Sequence, residues 1–146
     1  MIMRLIKYIA IHCTGGSQKQ TIESIQKYWK EVKGWKDPGY HFIIKPDGEI
    51  VELLPIEKIS NGVLGYNSKT INICYIGGVD EKNKAIDNRT DAQKKSMITL
   101  ILQLKKEFPN AIIQGHRDFP DVKKDCPSFD VKTWIKKYLN EIYGDV

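Results

Sequence analysis

His12, His116 in Gly115-His116-Arg117-Asp118, and Cys126 in Lys124-Asp125-Cys126-Pro127-Ser128 are the residues of this chain best suited to chemistry. Two imidazoles and a thiolate form a donor set that suits zinc. Three protein ligands also leave a fourth position open, which separates a catalytic zinc from a closed structural one. His12 lies far from the other two in the chain, so no local finger or ribbon can unite them. Taken singly, each has a plainer reading: a strand-end histidine satisfied inside the protein, or a cysteine acting as a small buried hydrophobe. Only a fold that brings them together makes a site.

The elements that must position them are readable from periodicity. Ile6 to His12 is apolar and partly β-branched, as suits a buried strand, with Tyr8, Ala10 and His12 on one face and Ile9, Ile11 and Cys13 on the other. A helix capped by Thr21 follows, with Ile22, Ile25, Trp29 and Val32 at spacings of three and four and Gly34 closing it. His41–Lys45 and Ile50–Leu54 flank the turn Pro46-Asp47-Gly48 and predict a hairpin. Ile71–Ile76 reads as another buried strand, running into Gly77-Gly78. After the polar stretch from Lys82 to Arg89, Thr90-Asp91-Ala92-Gln93 has the form of a capping box. The helix it opens carries Met97, Ile98, Ile101, Leu102 and Leu104 on its apolar face. Ala111–Gln114 is a short strand that delivers His116. Asp130 caps a last helix whose core face is Trp134, Ile135, Tyr138, Leu139 and Ile142. The order β-α-β-β-β-α-β-loop-α predicts an α/β domain spanning 1–146: a central mixed sheet of about five strands with helices on both faces.

A chain of 146 residues, 41% hydrophobic and 28% charged, fits one soluble globular domain that buries a core without disulfide staples. Three widely spaced cysteines argue against a disulfide framework and for synthesis in a reducing compartment. Cys13 and Cys74 sit in apolar strands and read as core residues. No apolar run approaches the roughly 20 residues that span a bilayer. Arg4 and Lys7 interrupt the Met1–Ala10 segment, which reads as a first strand and not a signal peptide, so the expected location is the cytoplasm of the producing cell until release or export. The net charge of +5 favours an anionic partner, and bacterial wall polymers and nucleic acid both qualify. No Lys/Arg run interleaved with aromatics supports nucleic acid, which is not expected to bind.

The stretch Gly115–Asp130, with Ile11-His12-Cys13-Thr14, Gly39-Tyr40-His41-Phe42, Gly65-Tyr66-Asn67 and Gly77-Gly78, resembles the zinc-dependent N-acetylmuramoyl-L-alanine amidases of the phage T7 lysozyme and peptidoglycan-recognition-protein type. The resemblance covers nearly the whole chain. It implies one zinc per chain on His12, His116 and Cys126, with Tyr40 and Lys124 as active-site residues. Pro127 fixes the register on Lys124 and Cys126, leaving Asp125 a neighbour. The implied reaction is hydrolysis of the bond between the lactyl group of N-acetylmuramic acid and L-alanine in peptidoglycan, on the cell wall; the chain is expected to be a monomer.

His41 is a rival ligand. Adjacent strand residues face opposite ways, so Tyr40 is expected in the site and His41 behind it as a hydrogen-bonding residue. An unperturbed phenol is a poor base at neutral pH, which makes proton abstraction by Tyr40 the weakest of these roles. Two positions depart from the pattern: relatives commonly carry histidine where this chain has Gly62, and glycine where it has Asn72. Two other functions compete. A binding-only peptidoglycan receptor would typically lack the cysteine ligand, and a cysteine peptidase using Cys126 with His116 leaves His12 and Lys124 idle.

Overall fold

A computed structural model describes residues 4–143; Met1–Met3, the start of the segment expected as strand, and the side chain of Ile142 lie outside the description. The chain runs β1 (Tyr8–Cys13), α1 (Ile22–Glu31), β2 (Phe42–Ile44), β3 (Ile50–Glu52), β4 (Thr70–Tyr75), α2 (Asp91–Glu107), β5 (Ile112–Gly115) and α3 (Val131–Tyr143), with one-turn 3-10 helices at Asn67–Lys69 and His116–Asp118. The five strands form one mixed sheet in the order β3-β2-β4-β1-β5. β1 pairs in parallel with both β4 and β5, β2 is parallel to β4, and the hairpin β2–β3 is the antiparallel edge.

Side-chain alternation sorts the sheet into two unlike faces. Ile9, Ile11, Ile44, Ile71, Ile73 and Tyr75 pack against Met97, Leu100, Ile101 and Leu104 of α2 and Val131 of α3, which forms the main apolar core. On the opposite face Ile43, Cys74 and Ile76 meet Ile25 and Trp29 of α1, while Ala10, Val63 and Phe119 form a smaller cluster. That second face also carries the buried polar residues His12, His41 and Asn72.

The helix boundaries follow their caps. Thr21 Oγ1 accepts from Ser24 N–H, and Gly34, at φ +68°, takes the left-handed conformation that ends α1. Val32, expected on the buried stripe, is instead the C-cap and largely exposed because the chain turns away there. Thr90 and Gln93 form the expected capping box, and Thr90 Oγ1 also donates to Pro46 O at 2.6 Å, tying α2 to the hairpin turn. On α2 the buried stripe is Met97, Ile98, Leu100, Ile101 and Leu104. Leu102 stands a further 100° round from Ile101 and is 40% exposed. Among the described residues no helix is long and apolar enough to cross a membrane.

Thr90→Ala removes both the cap and the hairpin tie. It is expected to lower unfolding free energy by about 1–2 kcal/mol, read from urea melts, without changing metal content.

Candidate metal centre

The β1–β5 register pairs Ile11 with Gly115, so the next residues, His12 and His116, emerge side by side at the carboxyl ends of adjacent parallel strands. Their ring centroids are 4.8 Å apart. Ligands of open α/β sheets bind at these strand ends. Past Gly115 the chain makes its one-turn helix, held by Asp118 Oδ2 accepting from Gly115 N–H at 2.8 Å. The loop then doubles back to bring in Cys126. Arg117 N–H donates to Cys126 O at 2.9 Å, and Tyr75 Oη donates to Pro127 O at 2.7 Å. Gly115 is required for this approach, since a Cβ there would stand 2.8 Å from Pro127 Cδ. Gly78, at φ +104°, is required for another, since a Cβ there would lie 2.5 Å from Cys13 Sγ.

The result is one ligating atom from each of His12, His116 and Cys126, all within 4.8 Å of one another. Cys126 Sγ is 3.9 Å from His12 Nδ1, which identifies Nδ1 as the nitrogen turned toward the cluster. Among the described residues this is the one grouping of three His, Cys, Asp or Glu side chains able to hold a metal ion. It lines a cleft of about 830 Å³ whose walls include Trp29, Trp35, Tyr40, Leu64 and Lys124. Tyr40 lies beside His12, ring centroids 5.0 Å apart, with its hydroxyl 3.5 Å from Cys13 O. Lys124 is exposed on the cleft wall. Cys13 and Cys74 are buried in the sheet, although Cys13 N–H also donates to Cys126 Sγ at 3.3 Å.

Burial sets the protonation of the cluster. It pushes His12 down to about 3, helped by the neighbouring His116 and Lys124, and His116 down to about 4, helped by Lys124. Both rings are therefore neutral at neutral pH and offer lone pairs to a cation. Sharing a hydrogen bond with Cys13, together with burial, pushes the Cys126 thiol up in the metal-free protein. A bound cation would reverse that balance, because a coordinating sulfur gives up its proton. Burial raises the Tyr40 phenol well above its usual value.

Behind His12 lies a polar layer. His12 Nε2 is 2.7 Å from Asn72 Oδ1, and Asn72 Nδ2–H donates to Ser60 Oγ at 2.7 Å. Ser60 Oγ lies 3.2 Å from His41 Nδ1, and His41 Nε2 lies 2.8 Å from Lys58 O. His41 thus sits fully buried behind the cleft, while Tyr40 faces it. Both precede β2, in a segment where strict strand alternation does not apply. Asn72 and Ser60 were not assigned a role from sequence. The available signal was one amide inside the apolar run Ile71-Asn72-Ile73, because a buried amide must find partners. The two departures from the family pattern meet here: a Cβ on Gly62 would lie 2.3 Å from both Cγ and Oδ1 of Asn72. Glycine at 62 thus leaves the space that the Asn72 amide fills.

His12, His41 and His116 are all held below 6.5, chiefly by burial. Below pH 6.5 the unfolded chain takes up protons that the native rings refuse. Stability of the metal-free protein is therefore full above about pH 6.5 and falls as pH drops toward about 4, with up to about three protons taken up on unfolding. Urea midpoints measured across pH 4–8 in chelator check this; a flat profile would contradict it.

The family model described as N-acetylmuramoyl-L-alanine amidase matches residues 3–129. The endolysin of Escherichia phage T7 is 37% identical over 131 residues, covering 88% of this chain and 85% of that protein. Peptidoglycan-recognition protein SC2 of Drosophila melanogaster is 25% identical over 142 residues, covering 92% and 75%. Among solved structures, the N-acetylmuramoyl-L-alanine amidase LysC from Clostridium intestinale superposes with a TM-score of 0.78 at 26% identity, covering 92% of this chain and 85% of that one.

Proposed function

This chain belongs to the N-acetylmuramoyl-L-alanine amidase family, and from that premise we propose that it uses one zinc ion, held by His12, His116 and Cys126, to hydrolyse the amide between the lactyl group of N-acetylmuramic acid and L-alanine in peptidoglycan. The observation that carries the reading is the convergence of three ligating atoms on an open cleft, with neutral rings and a free lysine at its wall. Two nitrogens and one sulfur suit zinc over harder cations, and three ligands leave room for water.

Zinc bound there supplies a Lewis acid that activates water near neutral pH and polarises an amide carbonyl. The chain's own groups do the rest. Lys124 places positive charge where the carbonyl oxygen becomes negative, and it does so from the wall and not from within the ligand set. Tyr40, its phenol raised by burial, keeps its proton through the neutral range. It therefore serves as a donor and positioner at Oη, and not as the base. Its 3.5 Å contact with Cys13 O is long, so that donor is readily given to a substrate acceptor. Trp35 and Leu64 offer apolar surface for the sugar and stem peptide along the same cleft. The chain is proposed to work as a single domain and a monomer.

Metal analysis of the purified protein is expected to find about one zinc per chain. Cys126→Ala should lose it, whereas Cys13→Ser and Cys74→Ser should keep it at some cost in stability. A folded, active protein without bound metal would overturn the zinc assignment.

Lys124→Ala is expected to keep zinc and lower kcat by about 10²–10³ with a smaller change in KM. Tyr40→Phe should likewise keep zinc and lose turnover. Both are read by mass spectrometry of peptides carrying a free L-alanine N-terminus, released from purified peptidoglycan. A zinc-loaded wild type that binds peptidoglycan but releases no such peptide would favour a receptor role.

A further inference from the structure

The polar layer behind His12 has a direction, and that direction is dictated by two backbone groups. Asn72 N–H, which can only donate, points at His41 Nδ1 at 3.0 Å, so Nδ1 is an acceptor and the His41 proton resides on Nε2. Nε2–H in turn donates to Lys58 O, which can only accept, at 2.8 Å, while Arg4 Nη2, 3.3 Å from the same nitrogen and also a donor, donates to Ile56 O at 2.5 Å. Ser60 Oγ, 3.2 Å from the same His41 Nδ1, can only donate to that acceptor, sharing its lone pair with Asn72 N–H in a three-centre bond, and the Ser60 oxygen is left to accept from an amide N–H. That places Asn72 Nδ2 on Ser60 and Asn72 Oδ1 on His12. An amide oxygen accepts only, so His12 must carry its proton on Nε2. Its Nδ1 then has a free lone pair, and Nδ1 is the nitrogen turned toward Cys126.

We propose that this His41–Ser60–Asn72 relay presets His12 in the Nε2–H tautomer, with Nδ1 presented to the metal before any metal arrives, and that Gly62 is the space the relay requires. Asn72 is thus a positioning residue, acting through His12. His12, His41, Ser60 and Asn72 are each at most 1% exposed, so water does not compete for these bonds. A reversed amide would leave two acceptors facing each other or force the proton onto Nδ1, closing His12 to a cation. The geometry also couples positions 62 and 72. Asn72 occupies the volume that any side chain on Gly62 would enter, so the relay and a larger residue at 62 are mutually exclusive.

The inference rests on the zinc reading for its purpose, but it is tested first without zinc. The chain has three histidines, so ¹⁵N–¹H correlation spectra of the metal-free protein can assign each ring. The expected result is Nε2–H for both His12 and His41. Asn72→Leu should leave His12 a mixture of tautomers and weaken zinc binding about 10- to 100-fold in competition with a chromogenic chelator. Asn72→Asp, which keeps an acceptor on His12 Nε2, should restore most of the affinity. Ser60→Ala, a smaller change suited to the case where Asn72→Leu fails to fold, should also give mixed tautomers and a several-fold loss. Gly62→Ala should weaken zinc binding in the wild type but not further in Asn72→Gly. A metal-free wild type with His12 protonated on Nδ1 would overturn the relay, as would substitutions at 60 and 72 that leave tautomer and affinity unchanged. A wild type that shows the expected tautomer yet takes up no zinc would sink the zinc reading and leave the relay standing.

Discussion

An imidazole that is 1% exposed must remain neutral and must engage both of its nitrogens, and the arrangement around His12 follows from that requirement. The interior position of β1 in the sheet makes the burial unavoidable, since β4 and β5 flank it on either side. Asn72, from β4, takes one nitrogen. The other faces His116, from the end of β5, and Cys126, from the loop beyond it. Three parallel strands in register therefore fix the directions from which a cation could be held.

The sheet divides its labour between faces. α2 and α3 cover an apolar face built from isoleucines and Tyr75, where ordinary burial stabilises the fold. The other face carries the polar residues, half covered by α1 and by the loop before β4. This separation lets the chemical face contain histidines, an asparagine and a serine without breaking the main core. Among the described residues no buried side-chain nitrogen or oxygen lacks a partner, so the polar layer is fully satisfied.

The long loop carrying Lys124 and Cys126 is anchored from behind. Tyr75 reaches through from the sheet to Pro127 O, Ser128 Oγ donates to Gly78 O at 2.8 Å, and Arg117 N–H holds Cys126 O. Further along, Arg89 is wedged against the rings of Phe129 and Trp134, 3.4 and 4.2 Å from their centroids, while Asp87 accepts from its guanidinium. These ties run from the loop and α3 to the segment before α2. They hold the cysteine by backbone contacts and leave the Lys124 side chain free on the cleft wall.

Much of this was legible in the linear chain. The Thr90–Gln93 capping box, the Pro46-Asp47-Gly48 turn and the apolar strand segments are local signals, and local signals survive folding because they depend on neighbours in sequence. Boundaries moved by a residue or two, and Val32 and Leu102 turned outward because the extent of a buried stripe depends on what packs against it. The types and order of His12, Tyr40, His116, Lys124 and Cys126 pointed to a metal site, but no spacing rule says that residues so far apart meet. That was decided by the parallel register of β1 with β5 and by the return of the Cys126 loop. The meaning of Gly62 and Asn72 was wholly tertiary. Two side-chain volumes that overlap in space leave no pattern in sequence, and the direction of a hydrogen-bond chain exists only once its backbone donor and acceptor have been placed at its ends.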